Sequence, residues 1–216
     1  MIKGSDCTKE FRAAYENRYT WEIPFCGYKG NCSWAKDEGF IEGSFTVGTD
    51  LKLDVFGVDD EIAKKAFLSQ LWEVSIHRVR RPFEQTHGQN TFTAGEENEF
   101  GLEVLVGGKN KGDKYHIKDD VVTMVYRNIH GSLINIFTHE IVQTGNGYLS
   151  KRYSSQYLDP VTKKPLRKKN IFTDEFFPLD SGGPWVLGKR SIETEGDDKS
   201  VLSKELFIFS NLARAE

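Results

Sequence analysis

Residues 60–81 read DEIAKKAFLSQLWEVSIHRVRR, and this stretch decides the predicted fold. It predicts one long helix, because Asp59 or Asp60 suits the N-cap position and Pro82 ends the segment. When the side chains are placed around the helix at about 100° per residue, the apolar ones fill an arc of roughly 200°. This arc is about twice as wide as the apolar stripe of an ordinary surface helix. The residues in that arc are Phe67, Leu68, Leu71, Trp72, Val74, Ile76 and Val79. We therefore expect a curved sheet to embrace this helix.

Strands dominate the rest of the chain. Residues 27–56 read as extended segments between glycines. From residue 90 onward, the spacing of apolar runs and turns predicts about eight to ten antiparallel strands. His130-Gly131 and Asn146-Gly147 are hairpin signals, and Asp159–Pro165 is a turn in which aspartate and proline set the bend.

Several predicted strands are apolar on both faces. In the strand near residues 133–142, Leu133, Phe137 and Ile141 lie on one side, and Ile134, Ile136 and Val142 lie on the other. Burial of both faces of an antiparallel sheet requires a cover on each face or a cavity that accepts a ligand.

These patterns predict a single α+β domain over residues 1–216. A strongly curved, barrel-like antiparallel sheet wraps the helix at 60–81, and a short N-terminal helix over residues 6–20 packs at one end.

Composition restricts the functional classes. The 216 residues carry a formal net charge of −3, whereas a dedicated DNA-binding protein has a basic excess. No apolar run reaches the roughly 18 residues of a membrane-spanning helix, and the first residues are polar, without the apolar core of a signal segment. We therefore expect neither a nucleic-acid partner nor a transmembrane segment.

Three cysteines, Cys7, Cys26 and Cys32, are too few for a disulfide framework and indicate free thiols in a reducing compartment. The five-residue gap between Cys26 and Cys32 fits no zinc knuckle, and a redox pair is the weaker alternative to ordinary burial.

The most site-like cluster lies at the end of the predicted helix. Glu73, His77 and Arg81 follow at i,i+4 spacing, so they can meet on one helix face. A histidine paired with a carboxylate can act as a base, and Arg80 and Arg81 can hold a carboxylate or phosphate. The alternative is an exposed, salt-bridged helix end without catalytic function.

Asp180-Ser181-Gly182-Gly183-Pro184 resembles the nucleophile segment of chymotrypsin-like serine proteases. The accompanying Ala-Ala-His-Cys segment is absent, and the four residue types of this segment (Asp, Ser, Gly and Pro) all favour turns. We therefore interpret this segment as a turn and not as a hydrolase site at Ser181.

A metal site and a cofactor are not expected. His87, His130 and His139 would have to fold together, and His139 and Glu140 point to opposite faces of one strand.

A basic segment lies near residue 165 and consists of Lys163, Lys164, Arg167, Lys168 and Lys169. It suits a protein partner or an anionic membrane surface, and the alternative is a solvated hairpin tip.

The longest distinctive motifs resemble one family. They are residues 11–21 (FRAAYENRYTW), 70–81 (QLWEVSIHRVRR), 83–92 (FEQTHGQNTF) and 147–153 (GYLSKRY). They are similar to an uncharacterised protein family of cyanobacteria and plastids, over most of the chain. The resemblance implies that the protein comes from a phototroph and lies in the cytoplasm or the chloroplast stroma, or is attached to the thylakoid surface. It implies no catalytic residue. The predicted layout is also similar to lipoprotein-carrier folds of the periplasm, at the level of fold alone.

The functional expectation is a non-enzymatic binding or accessory protein, associated with photosynthesis by the resemblance. Its curved sheet would hold an apolar ligand such as a lipid or pigment, or a hydrophobic segment of a partner. The candidate ligand-binding residues are Trp34, Phe67, Trp72 and Phe137. The alternative is an enzyme that uses the Glu73, His77 and Arg81 face on a small carboxylate or phosphate substrate.

Overall fold

The computed structural model describes residues 2–36, 39–129 and 131–215. The helices are α1 (Thr8–Glu16), α2 (Glu61–Arg78) and α3 (Phe83–His87). The strands are β1 (Tyr28–Lys36), β2 (Gly39–Val47), β3 (Leu53–Phe56), β4 (Asn90–Asn98), β5 (Gly101–Gly108), β6 (Lys114–Lys118), β7 (Val121–Ile129), β8 (Ser132–Gln143), β9 (Tyr148–Leu158), β10 (Lys169–Pro178), β11 (Trp185–Glu195) and β12 (Val201–Arg214).

The strands hydrogen-bond in the order β3-β2-β1-β12-β11-β10-β9-β8-β7-β6-β5-β4. The prediction of a large antiparallel sheet is confirmed, and the nine strands after residue 90 agree with the predicted number. The described strands leave β3 and β4 as the two ends of the order, so the sheet is open. The sequence predicted a barrel-like sheet, and the observed sheet is not a closed barrel, because closure requires the terminal strands to pair.

The long helix begins where the sequence predicted and ends earlier. α2 starts after the N-cap Asp60, but Val79 already has extended backbone (φ −70°, ψ 123°). Pro82 is also extended, at φ −54° and ψ 141°, and directly precedes α3, a short helix that the sequence did not predict. Proline biases Arg81, the residue directly before it, toward extended geometry. Extended backbone already begins at Val79, so the helix stops short of the arginines at 80 and 81.

The chain divides into two compact units. The first contains Met1–Tyr19, Arg81–Ile171 and Glu195–Ser200, and the second contains Thr20–Arg80, Phe172–Thr194 and Val201–Glu216. The single domain over 1–216 stays a prediction. Within the described residues, no helix is both long and apolar enough to span a membrane.

The first unit packs α1 against β4, β6 and β7. Phe11 is the centre of this core, with ring centroids 4.5 Å from Phe92 and 4.6 Å from Tyr115. Phe83 and His87 of α3 also contact the Phe11 ring. Because these aromatic side chains come from α1, α3 and the sheet, they join the three into one core.

The second unit packs α2 against β1 and β3. Its core is also aromatic: the Phe45 ring meets Tyr28 and Phe209 edge-on, and Phe207 meets Phe67 of the helix in the same way. This packing holds α2 on the sheet and determines which of its faces stay accessible.

Candidate binding site on helix α2

One stripe of α2 is buried in the second unit. Ala63, Phe67, Leu71 and Val74 recur at helical spacing and are nearly inaccessible to solvent. The first turn is held by Asp60, whose carboxylate accepts hydrogen bonds from the backbone N–H groups of Ile62 (2.7 Å) and Ala63 (3.3 Å).

Two of the predicted ligand-binding residues lie in this core. The Phe67 ring packs edge-on against Phe207, and the Trp34 ring stacks on the same phenylalanine at 5.6 Å. The Trp34 indole donates a hydrogen bond to Glu205 Oε2 at 3.1 Å, so its polar atom is satisfied. A ligand would have to displace this packing to contact either ring.

A second apolar stripe of α2 is accessible. Leu68, Trp72 and Ile76 follow at i,i+4 spacing, with Leu68 and Ile76 half-buried and Trp72 52% exposed. Ile62, on the same side of the helix, is 73% exposed. The expectation that a sheet wraps the whole apolar arc is therefore wrong, since the unit covers one stripe and leaves the other accessible.

Phe137, the fourth predicted ligand-binding residue, belongs to the first unit. It is half-buried on β8, and its ring centroid lies 4.8 Å from that of Phe100.

A buried ion pair lies between the polar side of α2 and the sheet. Arg190 of β11 is 2% exposed and donates to both carboxylate oxygens of Asp174 of β10, at 2.8 and 2.6 Å. Its third nitrogen, Nη1, donates to Gln70 Oε1 at 3.0 Å and lies 3.3 Å from Glu73 Oε2. Two helix side chains and one strand carboxylate thus share a single guanidinium.

The chemistry of the Arg190 ion pair favours a structural role, in which the pair positions α2 on the sheet. Burial raises the pKa of the Asp174 carboxyl, while the charge and hydrogen bonds of Arg190 oppose that rise. Removing one partner of a buried pair leaves an uncompensated charge, which costs about 3–5 kcal/mol. The group therefore holds the helix in one place on the sheet.

Arg190 and Asp174 were not predicted from the sequence, although a signal was present. Phe172, Asp174 and Phe176 are every second residue of β10 and are all buried. Val186 and Arg190 are also buried and lie on one face of β11. Opposite charges at buried-face positions of two consecutive strands indicate a buried ion pair.

The predicted Glu73, His77 and Arg81 face does not form. Arg81 lies beyond the end of α2, so the i,i+4 spacing from His77 no longer applies. Glu73 pairs with Arg190, and the His77 side chain is exposed. Arg80 and Arg81, the predicted anion contacts, are also exposed in the connection to α3.

The segment around Ser181 is the predicted turn, between β10 and β11. Leu179 N–H donates to the Pro184 carbonyl, and Gly183 N–H donates to the Asp180 carbonyl. The Asp180 carboxylate accepts from Arg214 Nε at 2.5 Å. These bonds give Asp180, Gly183 and Pro184 a structural role in the turn.

The predicted basic segment is partly neutralised within the first unit. Lys168 pairs with Asp197 and Lys169 with Glu195, each at 2.6 Å. The exposed cations that remain are Lys163, Lys164 and Arg167.

The predicted histidine candidates have separate environments. His87 is buried among aromatic rings, and burial lowers its pKa to about 4. His139 Nε2 lies 2.9 Å from the Ser154 hydroxyl, and His130 lies outside the described residues. In the part of the chain that the structure describes, no three His, Cys, Asp or Glu side chains are grouped to hold a metal ion.

The cysteines are free thiols, and two of them are buried. Burial raises the pKa of Cys7 and of Cys32 to about 11, which keeps both in the unreactive thiol form at neutral pH.

A sequence profile of one protein family matches residues 2–214, nearly the whole chain. The chain belongs to the DUF3386 family. This family is described as proteins of unknown function, in agreement with the expectation of an uncharacterised family. Its occurrence in cyanobacteria and plastids stays a prediction. No curated protein matches the chain significantly.

Two solved structures are similar over nearly their whole length. A DUF1329 family protein from Desulfovibrio piger is 13% identical, with 97% of this chain and 94% of that chain covered and a TM-score of 0.29. A LolA superfamily protein from Nitrosomonas europaea is 8% identical, with 98% and 94% covered and a TM-score of 0.25. Both scores are below 0.5, so we draw no functional conclusion from them, and the lipoprotein-carrier-like fold stays a prediction.

Proposed function

We propose that this protein is a non-enzymatic binding or accessory protein that holds an apolar ligand, such as a lipid or pigment, or a hydrophobic segment of a partner. The observation that carries the proposal is the accessible stripe of Leu68, Trp72 and Ile76 on α2. The ligand or partner segment covers this stripe, while the buried stripe of α2 holds the helix on the sheet.

Energetics favour Trp72 as the main contact. A tryptophan side chain buries up to about 250 Å², so covering the exposed half contributes about 3 kcal/mol at 25 cal/mol per Å². The Arg190 pair and the packing of Phe67 hold the backbone of α2, so a ligand meets a preformed surface with little ordering cost.

The test is titration of the full chain with dansylaminoundecanoic acid, followed by dansyl fluorescence. We expect saturable binding that Trp72→Ala weakens roughly tenfold to one-hundredfold, the affinity equivalent of about 1.4–2.8 kcal/mol. Phe40→Ala is the matched control, because it removes another exposed aromatic ring (61% exposed) of the same unit.

Equal binding by the wild type and Trp72→Ala would rule out the stripe as the site. Extraction of the protein from its native host and mass spectrometry of the extract would then identify any ligand held elsewhere, with Phe137 as the next candidate. Both variants are first compared with the wild type by circular dichroism, so that a folding defect is not taken for a binding defect.

The setting is proposed from the sequence resemblance. We place the protein in an oxygenic phototroph, either in the cytoplasm or the chloroplast stroma or attached to the thylakoid surface. Fractionation of host cells, with immunodetection in the soluble and washed-membrane fractions, tests this location. Recovery of the protein only from a periplasmic fraction would contradict it.

A further inference from the structure

The connection between β9 and β10 forms a prefolded tip, which we define as residues 159–167. The Asp159 carboxylate accepts hydrogen bonds from the backbone N–H of Val161 (2.9 Å) and of Thr162 (2.6 Å). Asp159 N–H donates to the Lys164 carbonyl, and Lys163 N–H donates back to the Asp159 carbonyl. The tip therefore presents its side chains from an ordered backbone.

Apolar side chains of this tip are exposed to solvent. Val161 is 85% exposed and Leu166 is 53% exposed, although both are aliphatic. Tyr157, at the end of β9 beside the tip, is also exposed. Several exposed apolar groups within one short ordered connection indicate an interaction surface.

The same tip is positively charged. Lys163, Lys164 and Arg167 are exposed, and none of them forms an ion pair with another described residue. The Arg167 guanidinium lies 5.3 Å from the centre of the Tyr157 ring, which holds it beside the apolar groups. The one acidic group, Asp159, directs its carboxylate into the turn.

We propose that this tip docks the protein on an anionic lipid bilayer, with Val161 and Leu166 entering the interface and Lys163, Lys164 and Arg167 contacting lipid phosphates. An anionic membrane surface binds protein segments in which exposed apolar side chains are flanked by cations. The tip has nine residues, whereas a stable protein interface uses about 20–30 residues a side. A bilayer requires no such extended matching surface, and this favours it over an acidic protein.

This proposal is independent of the α2 stripe, because the tip belongs to the first unit and Trp72 to the second. The test is co-sedimentation of the full chain with vesicles of phosphatidylcholine alone or with one third phosphatidylglycerol. We expect binding to the anionic vesicles and little binding to the neutral ones. Absence of binding to the anionic vesicles would overturn the proposal.

Charge reversal tests the cations. Each lysine or arginine near an anionic surface contributes about fivefold to binding, so Lys163→Glu/Lys164→Glu/Arg167→Glu is expected to weaken it at least one-hundredfold. The control Lys109→Glu/Lys111→Glu/Lys118→Glu makes the same change in net charge at exposed lysines of the same unit.

An equal loss in the control would show a general charge effect and overturn the assignment to the tip. Val161→Ser/Leu166→Ser tests insertion and is expected to weaken vesicle binding roughly tenfold at unchanged charge. Unchanged binding by this variant would assign the tip to a purely electrostatic partner and overturn docking by insertion. Thermal unfolding of each variant verifies that it is folded.

Discussion

His87 combines a titratable ring with a buried position. It is 5% exposed and packs edge-on against Phe11 and Tyr15 in the core of the first unit. Burial is the main cause of its lowered pKa of about 4, and the charges of Arg127 and Arg18 lower it further. A neutral imidazole is thus part of the aromatic core at neutral pH.

We predict that this ring makes the fold sensitive to acid. The folded-state pKa lies below the unfolded value of about 6.5, so the unfolded chain binds the proton first as the pH falls. The free energy of unfolding should be unaffected above pH 6.5 and should fall by about 3 kcal/mol on the way to pH 4. Denaturant unfolding at pH 7 and pH 4 measures this change.

The comparison protein is His87→Leu, which has no titrating group at this position. Other carboxyl groups titrate in both proteins, so the difference between their pH profiles isolates His87. Parallel profiles would show that the ring does not control the acid sensitivity.

The α2 helix shows how one element serves several purposes. One stripe packs on the sheet, a polar side with Gln70 and Glu73 reaches Arg190, and the stripe with Trp72 stays accessible. Its start is determined locally, because Asp60 caps the first turn within three residues of its own position.

We predict that Asp60→Ala lowers the free energy of unfolding by about 1 kcal/mol, because it leaves the N–H groups of Ile62 and Ala63 without their acceptor. Asp59→Ala is the control, since it removes the same charge one residue earlier, where no cap is made; we expect a change within about 0.5 kcal/mol. Denaturant unfolding compares the two. A larger effect at Asp59 would place the cap one residue earlier.

In the whole molecule, each compact unit is assembled from separated segments of the chain. The first unit takes α1 from the N-terminus and its six strands β4–β9 from residues 81–171. Phe11, Ala14 and Tyr15 of α1 are buried in its core. Loss of one large core side chain costs about 3–5 kcal/mol, a large share of the 5–15 kcal/mol stability of a domain.

We therefore predict that a fragment of residues 81–171 lacks cooperative unfolding, because its core is incomplete without α1. A peptide of residues 2–19 added in trans should restore a cooperative thermal transition and near-ultraviolet circular dichroism, and the same peptide with Phe11→Ala should not. Cooperative unfolding of the fragment alone would show that α1 is dispensable for this core.

Features that depend on neighbours in the chain were predictable from the sequence. The Asp60 cap and the Asp159–Pro165 turn are held by hydrogen bonds between residues a few positions apart. The antiparallel strands after residue 90 follow from alternating apolar residues and turn signals, which are also local. The early end of α2 and the short helix α3 were missed, because proline signals a stop but not its position.

Which apolar residues are buried was decided by the tertiary structure. Phe67 and Trp72 belong to one broad apolar arc, and the helical repeat cannot tell which of them meets the sheet. Arg190 joins Gln70 across 120 residues, and Lys169 meets Glu195 of a later strand. By itself the sequence determined most of the elements and the broad apolar arc of α2. Packing between distant segments decided which part of that arc stays accessible, because burial depends on what covers a residue.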